Sequence, residues 1–502
     1  MKYLYTILLA VLTLPVGAQT VTVKTGQVTY VYDGFNVGDM PFTTNGTTLT
    51  IGGKTFNVAD VTNILVDFSS VKDDVVDVKY NGSTASVVVS GNIARYLTVT
   101  VSGAGVSVVQ DPLLQSEVTY TLSGSSSNGS FTTSGDFKNT INLSNLTLTS
   151  TNGPAINILN GKANHMNIAG ENTLSDAAGG THTATLYFDG HPTIAGTGTL
   201  TLHGLTKHAL ATDEHFHLTG GTINVAQAAG DGFHVNERFQ MDGGKVNITA
   251  AGDGIDVEFR GVNKGTKDQY AKNGFIELNG GVLTVSTAGT ATKAIKADST
   301  IVLAGATVTA TTSGNSTYDV VKKDTSSPSA VKAGGAFNMT SGTLTATSTG
   351  TGGKGINATD DVTISGGIAY VTTTGSLYQY SDKIDTKPNG IKTDANIIIS
   401  GGSVYVCAGN NDSKSTSFKP GNDGVFLING GNVMGVSVKK PTVSTSSKQA
   451  SKNYTKVNVV GGQTLSYDGL EYTVPSIYNN SSANVVVSKG ATSVFSGMPR
   501  RF

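Results

Sequence analysis

Two acidic turns stand one repeat apart in this chain, Ala229-Gly-Asp231-Gly and Ala251-Gly-Asp253-Gly. If the strands that follow them pair side by side, equivalent atoms lie roughly 4.8 Å apart, the interstrand distance. Two carboxylates that close repel, so either one pKa rises or a cation bridges them. Calcium suits such a set, because it is a hard ion that takes several oxygens from Asp, Glu and turn carbonyls. Asp256 and Glu258 follow at once, so Asp231, Asp253, Asp256 and Glu258 form the candidate metal set. In the next repeat Lys293 takes the same turn position and supplies a positive charge of the protein's own. The plainer reading is that Asp-Gly is good turn chemistry. Spacing alone leaves both open.

A second set is basic and aromatic. Lys296, Lys332 and Lys392 share one position of the repeat, and the inserted segments 313–329, 375–389 and 409–423 lie between such positions. Those segments carry Tyr318, Tyr378 and Tyr380, with Lys322, Lys323, Lys383, Lys387, Lys414 and Lys419. Tyrosine offers a flat face for a sugar ring, and lysine offers donors and charge for a carboxylated sugar. Asp319, Asp324, Asp382, Asp385 and Asp412 are interleaved, so the surface is mixed, and a solvated loop is the competing reading for any one residue. His203, His208, His215, His217 and His234 cluster in sequence, but simple alternation turns His217 and His234 outward with no metal needed. There is no Ser-His-Asp order, nucleotide loop or Cys-rich zinc spacing, so no catalytic residue is nominated.

The elements that must position these residues are strands. A phrase of alternating apolar residues around a Gly-Gly turn recurs, first as Phe216-His-Leu218-Thr-Gly220-Gly221-Thr-Ile223-Asn-Val225 and then as Phe239-Gln-Met241-Asp-Gly243-Gly244-Lys-Val246-Asn-Ile248. It returns at Gly280-Gly281, Gly366-Gly367, Gly401-Gly402 and Gly430-Gly431. Less regular units centre on Asn145, Gly170 and Gly196, which sets a repeat of about 23–26 residues. That length holds three short strands and three turns, the geometry of a parallel β-helix solenoid. A further strand repeats as Gly232-Phe-His234-Val, Gly254-Ile-Asp256-Val, Ala294-Ile-Lys296-Ala, Ala330-Val-Lys332-Ala, Gly355-Ile-Asn357-Ala and Gly390-Ile-Lys392-Thr. Its apolar members point inward, so its middle residues form one outward column.

Composition sets bounds on this reading. The opening Met-Lys-Tyr-Leu-Tyr, the apolar run Thr6 to Leu14 and the small residues to Ala18 read as a signal peptide over residues 1–18. The run is too short to span a bilayer, and no other segment suits a transmembrane span. Cys407 is the one cysteine, so no intramolecular disulfide is expected in an exported chain. Thirty-four basic residues against 35 acidic ones argue against a nucleic-acid or anionic-membrane binder. Residues 19–112 read as an N-terminal β-rich module, 113–440 as the repeat domain and 441–502 as a β-rich C-terminal cap. A monomer is expected.

Several phrases, in order, resemble one family. They are Tyr120-Thr-Leu-Ser-Gly124, Leu146-Thr-Leu-Thr-Ser-Thr-Asn152-Gly-Pro-Ala155-Ile156, Glu171-Asn-Thr-Leu-Ser-Asp176, Gly196-Thr-Gly-Thr-Leu200, Ala251-Gly-Asp253-Gly-Ile255 and Asn389-Gly-Ile391-Lys392. Over roughly 113–495 the chain resembles bacterial secreted carbohydrate-binding proteins with a pectate-lyase-like right-handed parallel β-helix. The resemblance implies a calcium-containing fold that binds polysaccharide, including polygalacturonate-type and cellulose-like chains, without established cleavage. Asp231 and Asp253 match its Asp-Gly-Ile turns, with Phe233 replacing Ile in the first. His208-Ala209-Leu210 departs from that pattern one repeat earlier. The leading expectation is thus an exported, non-catalytic, calcium-assisted polysaccharide binder, located in the periplasm, on the cell surface or outside the cell. A calcium-dependent pectate-type lyase with Lys293 or Lys296 as base, and an adhesive surface protein, are the alternatives.

Overall fold

The computed structural model describes residues 20–33, 43–44, 46–67, 72–259 and 273–490. The signal-peptide reading of residues 1–18 lies outside them. Strands dominate, with one short helix, Gly91–Ala94, among the described residues. Alternation explains the strands directly. In Ile301–Thr312 the residues Ile301, Leu303, Ala306, Val308 and Ala310 are buried, while Thr307, Thr309 and Thr311 face outward.

The chain divides into two compact units, residues 1–229 and 230–502. In the first, Thr20–Thr25 pairs antiparallel with Val28–Asp33 and Val61–Asp67, and Val75–Asn81 pairs antiparallel with Thr84–Ser90. Pairing then turns parallel, Val75–Asn81 with Val118–Ser126 and Ala104–Gln110 with Gly129–Ser134. Both of these ladders join residues on either side of Pro112.

In the second unit each repeat gives one strand to a narrow parallel ladder and further strands to the large sheet. The narrow ladder runs Phe233–Asn236, Ile255–Glu258, Lys293–Ala297, Ser329–Ala333, Lys354–Asn357, Ile391–Lys392 and Phe418–Lys419. Towards the C-terminus Asn480–Ser488 pairs antiparallel with Phe426–Ser437 and Lys452–Val459. Tyr472 and Tyr478 pack there with Cys407, Met434 and Val485 in one buried cluster.

The expected open, right-handed, pectate-lyase-like parallel β-helix is corrected by the large sheet. That sheet closes into a twelve-strand parallel β-barrel. Two long strands continue where the neighbouring repeat is divided into two. Asn139–Thr149 pairs along its first half with Ala163–Ala169 and along its second with Glu171–Ser175. Ile301–Thr312 likewise serves both Phe275–Leu278 and Val282–Thr287. Elsewhere a Gly-Gly corner interrupts the strand. Gly281 has φ +82°, and a Cβ there would sit 2.5 Å from the Gly244 carbonyl oxygen. Sequence repeats located the corners but not which strands run through them.

The interior is a set of apolar columns. Leu303, Met339, Ile364, Ile399 and Ile428 stand in register and are fully buried. Trimming one methylene from that column, Ile399→Val, is expected to cost about 1 kcal/mol. Chemical denaturation measures it, and a neutral effect would mean the column is loosely packed.

Candidate functional site

The narrow ladder sets the outward residues of the second unit in one row. His234 lies opposite Asp256, Asp256 opposite Lys296, Lys296 opposite Lys332, Lys332 opposite Asn357, Asn357 opposite Lys392 and Lys392 opposite Lys419. Their neighbours Phe233, Ile255, Ile295, Val331, Ile356, Ile391 and Phe418 are buried, and strand alternation turns the polar residue between them outward. Lys296, Lys332 and Lys392 therefore share one face, at rungs roughly 4.8 Å apart with Asn357 between the last two. Lys419 joins them, although sequence reasoning left it in an inserted loop. Its signal was Ser417-Phe418-Lys419, an echo of Gly390-Ile391-Lys392 displaced by the unpatterned loop before it.

The row is acidic at one end and basic at the other. The Lys296 ammonium lies 2.7 Å from Asp256 Oδ1 and donates to Oδ2 at 2.9 Å, with Glu258 at 3.5 Å and Asp298 at 4.0 Å. Burial pulls the Lys296 amine down, but Asp256 and the other carboxylates outweigh it and hold the pKa above its ordinary value. Lys392 pairs with Asp394 at 2.7 Å. Lys332 reaches the Thr359 hydroxyl at 3.4 Å and has no ion pair among the described residues. Burial, then the nearby Lys392 charge, hold its pKa below the usual lysine range.

The acidic turns do more than reverse the chain. Asp231 Oδ1 accepts the Asp253 backbone N–H at 2.8 Å, and Asp253 Oδ1 accepts the Lys293 backbone N–H at 2.7 Å. Each carboxylate thus fastens the turn of the next repeat. Ligand oxygens of Asp231, Asp253 and Asp256 still lie within 4.8 Å of one another. Burial raises the pKa of Asp253 and pushes the Asp256 carboxyl up to about 7. His234 Nδ1 stands 3.4 Å from Asp231 Oδ2, and that contact first of all raises the imidazole pKa. Glu258 is more exposed, lies outside the group of three and faces Lys296. Crowded, largely buried carboxylate oxygens are the hard donor type that a calcium ion takes.

The predicted tyrosines sit on two hairpins, Thr317–Asp319 with Asp324–Ser326 and Tyr378–Ser381 with Ile384–Thr386. The rings of Tyr318 and Tyr380 stack at 3.9 Å and 4°. One face of each ring covers the other, and Tyr380 is the more exposed of the two at 55%. Tyr378 is half-buried near the base of the second hairpin. Three of the six lysines of these loops are matched to acids, Lys322 to Asp319 and both Lys387 and Lys414 to Asp385. Lys322 also lies near enough to act electrostatically on Lys293 and Lys332.

None of these residues lines the surface hollow of about 540 Å³ beside Gly401, Gly430, Gln449 and Lys489. The cations, acids and tyrosines are spread along an open face rather than gathered around an enclosed pocket. Residues 106–377, more than half of the 502-residue chain, match the family model described as carbohydrate-binding domain-containing protein, and the chain belongs to that family. The match takes in Asp231 through Lys332 and Tyr318, and stops just before Tyr378, Tyr380 and Lys392. Comparison with curated protein sequences gives no match. A polysaccharide lyase-like protein from C. thermocellum, solved as a gadolinium derivative, is similar at 21% identity and a TM-score of 0.39, over 48% of this chain and 92% of that one. Among the described residues no helix is long and apolar enough to cross a membrane.

Proposed function

We propose that this chain is an exported, non-catalytic protein that binds an acidic, polyuronate-type polysaccharide along the Lys296–Lys332–Lys392 row. The single observation that supports this most is the register of that row. Its cations lie along one line, one and two strand spacings apart, an arrangement suited to the recurring carboxylates of a linked uronate chain. Tyr318 and Tyr380 add a stacking surface beside it. Asp231, Asp253 and Asp256 would hold calcium, which supplies charge neutralisation of the acidic turns and a carboxylate-binding positive centre. Calorimetry against polygalacturonate, cellulose and neutral glycans, with and without chelator, tests the reading. Binding to polygalacturonate above cellulose is expected, and no binding to any glycan would sink it. Added calcium is expected to raise the thermal midpoint, and Asp231→Asn with Asp256→Asn to abolish that rise.

A lyase reading keeps one point in its favour. Burial holds the Lys293 amine below its ordinary pKa, which suits a general base. Lys296, held above its ordinary value, is a poor base at neutral pH. Appearance of a 235-nm product from polygalacturonate, lost in Lys293→Met, would favour the lyase.

A further inference from the structure

The two tyrosine hairpins converge on one buried amine. Lys354 is 4% exposed, and its Nζ donates to the Gly352 carbonyl, to Thr386 Oγ1 at 2.6 Å and to Ser327 Oγ at 3.4 Å. Ser327 Oγ and Thr386 Oγ1 are themselves 3.0 Å apart. Ser327 directly follows Asp324–Ser326, the returning strand of the first hairpin, and Thr386 ends Ile384–Thr386, the returning strand of the second. The amine therefore ties the feet of both hairpins, whose other strands carry the stacked Tyr318 and Tyr380. Lys354 itself belongs to the narrow ladder, in register with Ser329, so it is anchored to the wall rather than to either hairpin. The junction is tightly filled. A Cβ at Gly352 would stand 2.4 Å from Ser316 Oγ, 2.6 Å from Thr386 Cγ2 and 3.1 Å from Tyr378 Cβ.

Filling this space does not require an amine. Among the described residues no carboxylate pairs with Lys354, and burial of the amine, reinforced by the Lys392 and Lys387 charges, pushes its pKa down to about 7. An apolar side chain of similar length would occupy the site without that desolvation cost. What the amine adds is direction, because it engages two hydroxyls, one at the foot of each hairpin, in addition to the tyrosine stack and the Ser327–Thr386 contact between them.

We propose that Lys354 is a positioning residue, which locks the feet of the two hairpins together and so sets Tyr318 against Tyr380 on the glycan-facing surface. The link to glycan rests on the function proposed above; the locking of the hairpins does not. Lys354→Met and Thr386→Val in the full chain remove the contact from its two sides. Hydrogen exchange and protease nicking within 317–326 and 378–386 report the hairpins, and near-UV circular dichroism reports the tyrosine stack. Each variant is expected to open the hairpins about tenfold more often, the loss of roughly one to two net hydrogen bonds. The double variant is expected to do no worse than the stronger single one, since the same contact is removed twice. The global thermal midpoint of Lys354→Met should hold or rise, which a merely structural lysine would not allow. Polygalacturonate affinity is expected to fall about threefold to tenfold as preorganisation is lost. Hairpins that exchange and nick at the parent rate in both variants overturn the proposal. Looser hairpins with unchanged polygalacturonate affinity uphold the lock and remove the tyrosines from the binding surface.

Discussion

Exchanging Lys332 and Lys392 together for glutamine is expected to weaken polygalacturonate binding by about 100-fold, at roughly 1.5 kcal/mol for each charged hydrogen bond lost. The choice of these two follows from their partners. Lys332 has no ion pair among the described residues, and Lys392 pairs with Asp394, whose side chain is 61% exposed. Both can turn to a ligand carboxylate without leaving a buried acid alone, so the fold should tolerate their loss. Lys296 is a different case. Asp256 is 6% exposed and depends on it, and removing one partner of such a pair strands a buried charge. The binding curve of the parent should weaken with salt, since exposed charges are screened within about 10 Å at 0.1 M ionic strength. The double variant should show a much shallower salt dependence and unchanged affinity for any neutral glycan. Titration calorimetry at two ionic strengths measures both, and an unaltered polygalacturonate affinity would refute the role of the row.

Lys354 should leave a signature in the pH dependence of stability. Its pKa falls from 10.5 in the unfolded chain to about 7 in the folded one. Between those values the unfolded chain binds a proton that the folded chain does not, so this group makes stability rise with pH from 7 towards 10.5. Below 7 both states carry the proton and the penalty is constant. Each pH unit in the window is worth about 1.4 kcal/mol, so the whole span is on the order of 5 kcal/mol. Lys354→Met removes the protonation and with it the slope. The difference in unfolding free energy between variant and parent is expected to be a few kcal/mol in the variant's favour at pH 7 and to shrink towards pH 9.5. Using the difference cancels the Asp256 carboxyl, whose raised pKa acts in the opposite sense, with stability lost as pH rises through about 7. Chemical denaturation at pH 7, 8.3 and 9.5 suffices, and a difference that does not change with pH would contradict the buried neutral amine.

These two effects differ in how visible they were in the amino-acid order. The lysine row could be written down from Ala294-Ile-Lys296-Ala, Ala330-Val-Lys332-Ala and Gly390-Ile-Lys392-Thr, because a strand's alternation assigns each residue a face. The amine of Lys354 could not. Lys354 precedes the patterned Gly355-Ile-Asn357-Ala, and only the return of two hairpins, whose Ser327 and Thr386 lie 27 and 32 residues from it in sequence, encloses it. The acidic turns were half legible. Their stacking was clear from the repeat, but the use of one oxygen of each to hold the next turn's N–H was not, since that depends on side-chain rotamers and local register.

What the sequence determined by itself is local and periodic: the strands, their buried faces, the Gly-Gly corners, and hence the row from Asp256 to Lys392. What the tertiary structure alone decided is long-range: the addition of Lys419 to that row, the stacking of Tyr318 on Tyr380, the closure of the large sheet into a barrel, and the burial of Lys354. The reason is physical. Alternation and turn chemistry act between neighbours a few residues apart, so a repeat makes them readable. Whether a strand runs through a corner, or where an inserted hairpin lands, is settled by packing between segments that no period connects.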